Sequence, residues 1–133
     1  MTFYERELRC IFENCEGISE QEYNGRTMLA KIDQDLRVKA SFITTGIASH
    51  YDAIRLRIIN RTEGEVDAQT FFFRDIFNNT PTAKTAHMWD DHGSPKWYNY
   101  RPEPYDYEQL TERLEGYISL YQDEGMEMSS LSL

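Results

Sequence analysis

The chain is short of bases, of cysteine and of long apolar runs. It carries 14 Lys plus Arg against 23 Asp plus Glu, for a formal net charge of −9. Binding to a phosphate backbone draws its affinity from Lys and Arg, so direct nucleic-acid binding by the whole molecule is disfavoured. There are only two cysteines, Cys10 and Cys15. They form neither a C-x-x-C pair nor part of a larger framework, and are expected as reduced thiols, one packed and one partly exposed. No apolar run is long enough to span a membrane. The opening residues Thr2 to Glu7 are polar and acidic, which is not the pattern of a secretory leader. Together these absences point to a cytoplasmic protein. Gly-x-Gly-x-x-Gly and G-x-x-x-x-G-K-[ST] are absent too, which removes the common nucleotide cradles.

What is present suits one folded domain. The length is 133 residues, with 40% hydrophobic and 14% aromatic residues. That is too apolar for a disordered acidic chain and too short for two cores. One α+β domain is expected over residues 1–122. Residues 123–133 are Ser- and Met-rich and read as a flexible tail.

Thr2 and Glu5 form a T-x-x-E capping box ahead of Leu8, Ile11 and Phe12, predicting a helix from about Phe3 to Asn14. Cys15 to Arg26 reads as an irregular connection. From Thr27 the apolar period becomes two. It predicts strands at Thr27 to Ile32, at Leu36 to Phe42, at Ile54 to Ile58, and at Val66 to Phe72 with Val66, Ala68, Thr70 and Phe72 inward. A break is expected at Gly46 to His50, and a helical turn at Asp75-Ile76-Phe77. A second hairpin is expected from Ala86 to Trp89 and Lys96 to Tyr100. Asp106, three residues before Gln109, marks the start of a last helix that buries Leu110, Leu114, Tyr117, Ile118 and Tyr121 and ends near Gln122. The expected architecture is an antiparallel sheet, a four-stranded meander plus a hairpin, flanked by an N-terminal and a C-terminal helix.

Several groups of residues can carry chemistry. His87, Asp90, Asp91 and His92 have the donor types of a zinc or iron site. The plainer reading is a polar turn beside Trp89, since His50 is the only other histidine. No metal and no cofactor is therefore assigned. Cys10 and Cys15 lie among glutamates, which oppose thiolate formation, so neither is a good nucleophile. The expectation is a protein that is not an enzyme.

Trp89, Trp97, Tyr98, Tyr100, Tyr105 and Tyr107 combine apolar bodies with hydrogen-bonding tips, as interface anchors do. They either plug the end of the core or offer a partner surface. Arg37, Lys39, Arg55 and Arg57 share outward parity. They either form a basic face that attracts an acidic partner or RNA or, as expected here, are neutralised by Glu65 and Asp67 on the next strand. Glu108, Glu112 and Glu115 face away from the apolar stripe of the last helix. They are either a solvated face or an acidic surface for a basic protein.

The charge is unevenly spread. Residues 1–25 carry two bases and six acids, and residues 103–133 one base and eight acids. Residues 26–102 are slightly basic, with eleven bases and nine acids. The excess negative charge therefore belongs to the two helices and their flanks.

Three stretches carry a resemblance: Met1-Thr2-Phe3-Tyr4-Glu5-Arg6-Glu7-Leu8; Tyr51-Asp52-Ala53-Ile54 through Gly64-Glu65-Val66-Asp67; and Trp97-Tyr98-Asn99-Tyr100-Arg101-Pro102 leading into Asp106-Tyr107-Glu108-Gln109-Leu110. They resemble small uncharacterised acidic accessory proteins of bacterial mobile elements. The resemblance implies an accessory role and no particular chemistry. Element order and acidity are also similar to dimeric secretion chaperones, at the level of fold alone. The expected function is a small acidic protein-binding module, for instance an inhibitor of a host defence protein, with a basic protein as partner. The rivals are a homodimeric chaperone or adaptor, and a metal-dependent enzyme built on His87, Asp90 and His92.

Overall fold

The computed structural model describes residues 3–44, 53–76 and 104–122. The elements run α1 (Phe3–Phe12), β1 (Ser19–Asn24), β2 (Thr27–Lys31), β3 (Leu36–Ile43), β4 (Ala53–Asn60), β5 (Gly64–Phe72), α2 (Phe73–Ile76) and α3 (Pro104–Gln122). The strands form one antiparallel sheet in the order β1-β2-β3-β4-β5, with α1 and α3 flanking it. The fold is α+β.

Alternation sets the faces of β2, β3 and β4. Met28, Ala30, Val38, Ala40, Phe42, Ile54, Leu56 and Ile58 all point to one side and are buried. From α1, Leu8, Ile11 and Phe12 pack onto that side, as do Leu110, Leu114, Tyr117 and Ile118 from α3, in one core cluster. Both helices are amphipathic at the 3.6 period, so each buries one stripe and leaves the other wet.

β1 corrects the expected irregular connection between Cys15 and Arg26. Its sequence, Ser-Glu-Gln-Glu-Tyr-Asn, has no apolar alternation. It is held instead by backbone pairing to β2, with Tyr23 opposite Met28 and Asn24 opposite Thr27. Tyr23 packs on the core and lies under the Arg9 guanidinium, 4.3 Å from its ring. Gly25 opens the two-residue hairpin turn at φ 62°, the position where a primed turn needs φ above zero. A bulge follows Ser19, and Glu20 takes φ 51° within it.

β5 corrects the expected parity. Ile58 pairs with Asp67, and Ile54 with Phe71, so Asp67, Gln69 and Phe71 share the inner face. Val66, Ala68, Thr70 and Phe72 therefore lie on the outer parity, and Val66 is 45% exposed. The pairing slips between Ile58 and Ile59, leaving Val66 as the extra residue of a bulge. In a structure of period two, a one-residue misreading inverts every side chain.

The remaining corrections are at helix starts. α2 begins at Phe73, two residues before the expected turn, and buries Phe73 and Ile76. α3 begins at Pro104, so Asp106 is not the residue before the helix but belongs to its first turn, where it is 1% exposed. Proline suits that start, because its missing N–H would have no helical partner there. The expected break at Gly46 to His50, the expected second hairpin and the expected tail all lie outside the described residues.

Candidate functional site

α1 and α3 run side by side on the sheet and are tied across about a hundred residues of sequence. The Tyr107 hydroxyl donates to the Glu7 carboxylate. The Thr111 hydroxyl donates to the Ile11 carbonyl at 2.9 Å. Beyond the end of α1, the Glu16 N–H donates to Glu115 Oε2 at 2.8 Å. Gln122 Nε2 donates to the Glu16 carbonyl at 3.2 Å, directly over Gly17. A Cβ at Gly17 would fall 0.8 Å from Gln122 Nε2, so the close approach of the α3 end depends on that glycine.

Between the helices lies a groove of about 460 Å³, lined among others by Cys10, Asn14, Tyr107, Glu108, Glu112 and Glu115. Positions 108, 112 and 115 are spaced i, i+4, i+7 and fall on one stripe of a helix. Glu108 and Glu112 are exposed, and Glu115 is half-buried. Among the described residues, no base lines the groove. Three of the residues singled out by sequence are thus brought together. Trp89, Trp97, Tyr98 and Tyr100 lie outside the described residues, as do His87, Asp90, Asp91 and His92.

The two thiols are quiet. Cys15 is buried, and that burial, helped by Glu115 and Glu16, pushes it up to about 12. Cys10 is exposed at the groove wall, yet partial desolvation and the charges of Glu7 and Glu13 also raise it. Glu7 is raised by burial against the opposing pull of the Tyr107 hydroxyl and Arg6. Among the described residues, no group of three or more His, Cys, Asp or Glu is placed to hold a metal. No described helix is long and apolar enough to cross a membrane.

The basic face of the sheet also departs from expectation. Glu65 does pair with Arg57, at 3.6 Å. Asp67 does not, because it lies on the inner parity and accepts from the Tyr121 hydroxyl. That bond is the largest cause holding the Asp67 carboxyl below its ordinary value. Burial, followed by the neighbouring Asp67 carboxylate, pushes the Tyr117 hydroxyl up.

Sequence reasoning missed Glu7, Asn14 and Thr111, and placed Tyr107 only in the aromatic cluster, not at this groove. Only the spacing of α1 could have flagged Glu7 and Asn14, as neighbours of Cys10 on one helix side. Comparison with known protein families, curated proteins and solved structures gives no match to this chain.

Proposed function

We propose that this protein is a non-enzymatic, cytoplasmic binding module that engages a basic protein partner along the α1–α3 groove. The supporting observation is the stripe of Glu108, Glu112 and Glu115 in a groove that no base lines among the described residues. Aligned carboxylates attract a cationic surface over roughly a Debye length, about 8–10 Å at physiological salt. A protein that acts on nucleic acid presents such a surface, which makes an inhibitor of a host nucleic-acid enzyme the concrete form of this reading. Two quiet thiols fit a surface that binds and does not react.

The test is affinity capture of basic proteins from bacterial lysate by the wild type and by Glu108→Lys/Glu112→Lys. The expected result is a basic protein held at low salt, released steeply as salt rises, and lost with the double variant. Recovery of no basic protein, or equal recovery by both chains, overturns the reading. In the same assay, Trp97→Ala with unchanged circular dichroism and weakened capture would assign the aromatic stretch to binding.

A homodimeric adaptor is the second reading. It is favoured by Leu120 and Val66, which are 64% and 45% exposed. Sedimentation equilibrium distinguishes the two: a dimer that Leu120→Ser dissociates supports the adaptor.

A further inference from the structure

The sheet face opposite the helices has a different character, and the pairing register defines it. One cross-strand row runs Glu22, Leu29, Lys39, Arg57, Ala68. The next runs Ser19, Lys31, Arg37, Ile59, Glu65. Lys39 thus stands directly opposite Arg57, and Lys31 opposite Arg37. Like charges directly opposite one another destabilise a sheet, and β-branched residues would serve these positions better. Acids occur only at the margins of the two rows. Glu20 pairs with Lys31 at 3.5 Å and Glu65 with Arg57 at 3.6 Å. Among the described residues, Arg37 and Lys39 in the central strand have no ion-pair partner.

At one end the face opens into a hollow of about 240 Å³ lined by Gln34, Asp35, Arg37, Ile59 and Arg61. The Arg61 N–H donates to the Asp35 carbonyl at 2.8 Å, locking the β4–β5 turn against the β2–β3 turn. This brings two guanidiniums and one amide around a half-buried apolar wall. Planar guanidinium forks match a carboxylate, and Ile59 matches its methylenes. The Asp35 carboxylate in the same lining leaves charge for a single anionic group.

We propose that this outer sheet face docks an acidic, partly apolar protein segment, with one of its carboxylates seated between Arg37 and Arg61. This goes beyond the reading above, which concerns the opposite side of the molecule. Charge complementarity selects an anionic occupant. Two features select a protein segment over a single-stranded nucleic acid. The rows that hold the cations contain no aromatic side chain on which a base could stack. Leu29 and Ile59 lie beside the cations, and they match apolar side chains interspersed among carboxylates better than a bare phosphodiester. The cationic part covers the three strands β2 to β4, roughly 10 Å across at about 4.8 Å per strand, which suits one extended segment.

The test titrates the full chain with a short labelled peptide of glutamates interspersed with leucines, and separately with a single-stranded DNA of equal length. The expected result is salt-sensitive peptide binding that Lys39→Glu, and Arg37→Ala with Arg61→Ala, each weaken about tenfold or more. Glu108→Lys/Glu112→Lys is expected to leave it undiminished, which separates this face from the groove. Thermal melts check that the variants stay folded, and Gln34→Ala gives a milder version should one fail. Absence of peptide binding at low salt, equal affinity of the sheet variants, or DNA binding as tight as the peptide would each overturn the proposal.

Discussion

The two faces of the sheet use the same backbone and opposite physics. On the inner face, alternating Val38, Ala40, Ile54, Leu56 and Ile58 are closed off by α1 and α3. On the outer face, the intervening Arg37, Lys39, Arg55 and Arg57 stand in cross-strand rows. Of the helices that cover the inner face, α1 is neutral and α3 carries Asp106, Glu108, Glu112 and Glu115 against Arg113 alone, so the α3 side of the core is negative and the outer sheet face positive. A chain selected for stability alone would gain by pairing these charges. This one keeps them a core's thickness apart, and its net charge of −9 describes neither surface. The difference assigns stability to the inner face and leaves the polar surfaces on both sides for the proposed binding.

The strongest way to break that division is to cut the inner face. Leu114 is fully buried between α3 and the sheet. Leu114→Ala should cost about 2–5 kcal/mol in urea unfolding, from lost transfer energy and the cavity left behind. Arg57→Ala on the outer face should change the same measurement by about 0.5 kcal/mol or less. Comparable losses from the two would mean that the outer face is also structural.

The same contrast explains what was legible in the sequence. Leu8, Ile11 and Phe12 mark α1, and the alternating residues of β2, β3 and β4 mark their own inner side, because burial writes a period onto the chain. β1 writes none, since its polar residues sit at an edge and only backbone pairing holds them. In β5 the apolar residues Val66, Ala68 and Phe72 mimic an inner face, while the residues that meet α3 are Asp67 and Phe71. Their inner position follows from the register, which the bulge at Val66 disturbs and which local spacing does not reveal. Glu108, Glu112 and Glu115 were legible as one acidic stripe. The groove was not, because Cys10 and Asn14 reach it only through tertiary packing about a hundred residues away in sequence.

The next effect concerns the ties between the helices. Tyr107→Phe leaves the half-buried Glu7 carboxylate without that hydroxyl donor, at about 1–3 kcal/mol. The cost should grow with pH. Burial raises the pKa of Glu7 above its ordinary 4.5, so the folded state favours the protonated form. Its stabilising contribution is complete below that ordinary value and is lost as pH rises through the raised one. Glu7→Gln should therefore remove a decline in the urea midpoint over that window. Asp67 has the opposite sign. The Tyr121 hydroxyl lowers its pKa, so its contribution is present above the ordinary carboxylate value and lost as pH falls through the lowered one. Asp67→Asn should flatten the acid limb only. If both variants flatten the same limb, the two carboxylates do not sit in the contrasting surroundings described.

The smallest change is the most diagnostic for the outer face. Lys39 stands opposite Arg57, and a carboxylate there would turn a repulsive cross-strand pair into an attractive one. Lys39→Glu should therefore raise stability by about 0.2–1 kcal/mol, against the usual direction for a point substitution. A second Glu opposite Arg57 in place of a base also inverts the sign of the centre of the face. The same variant should then lose the acidic peptide while melting higher than the wild type. A protein that becomes more stable as it stops binding shows that the cation was kept at a cost to the fold. Lower stability together with retained binding would reverse the assignment and make Lys39 a structural residue, with its methylene stem packed against Leu29.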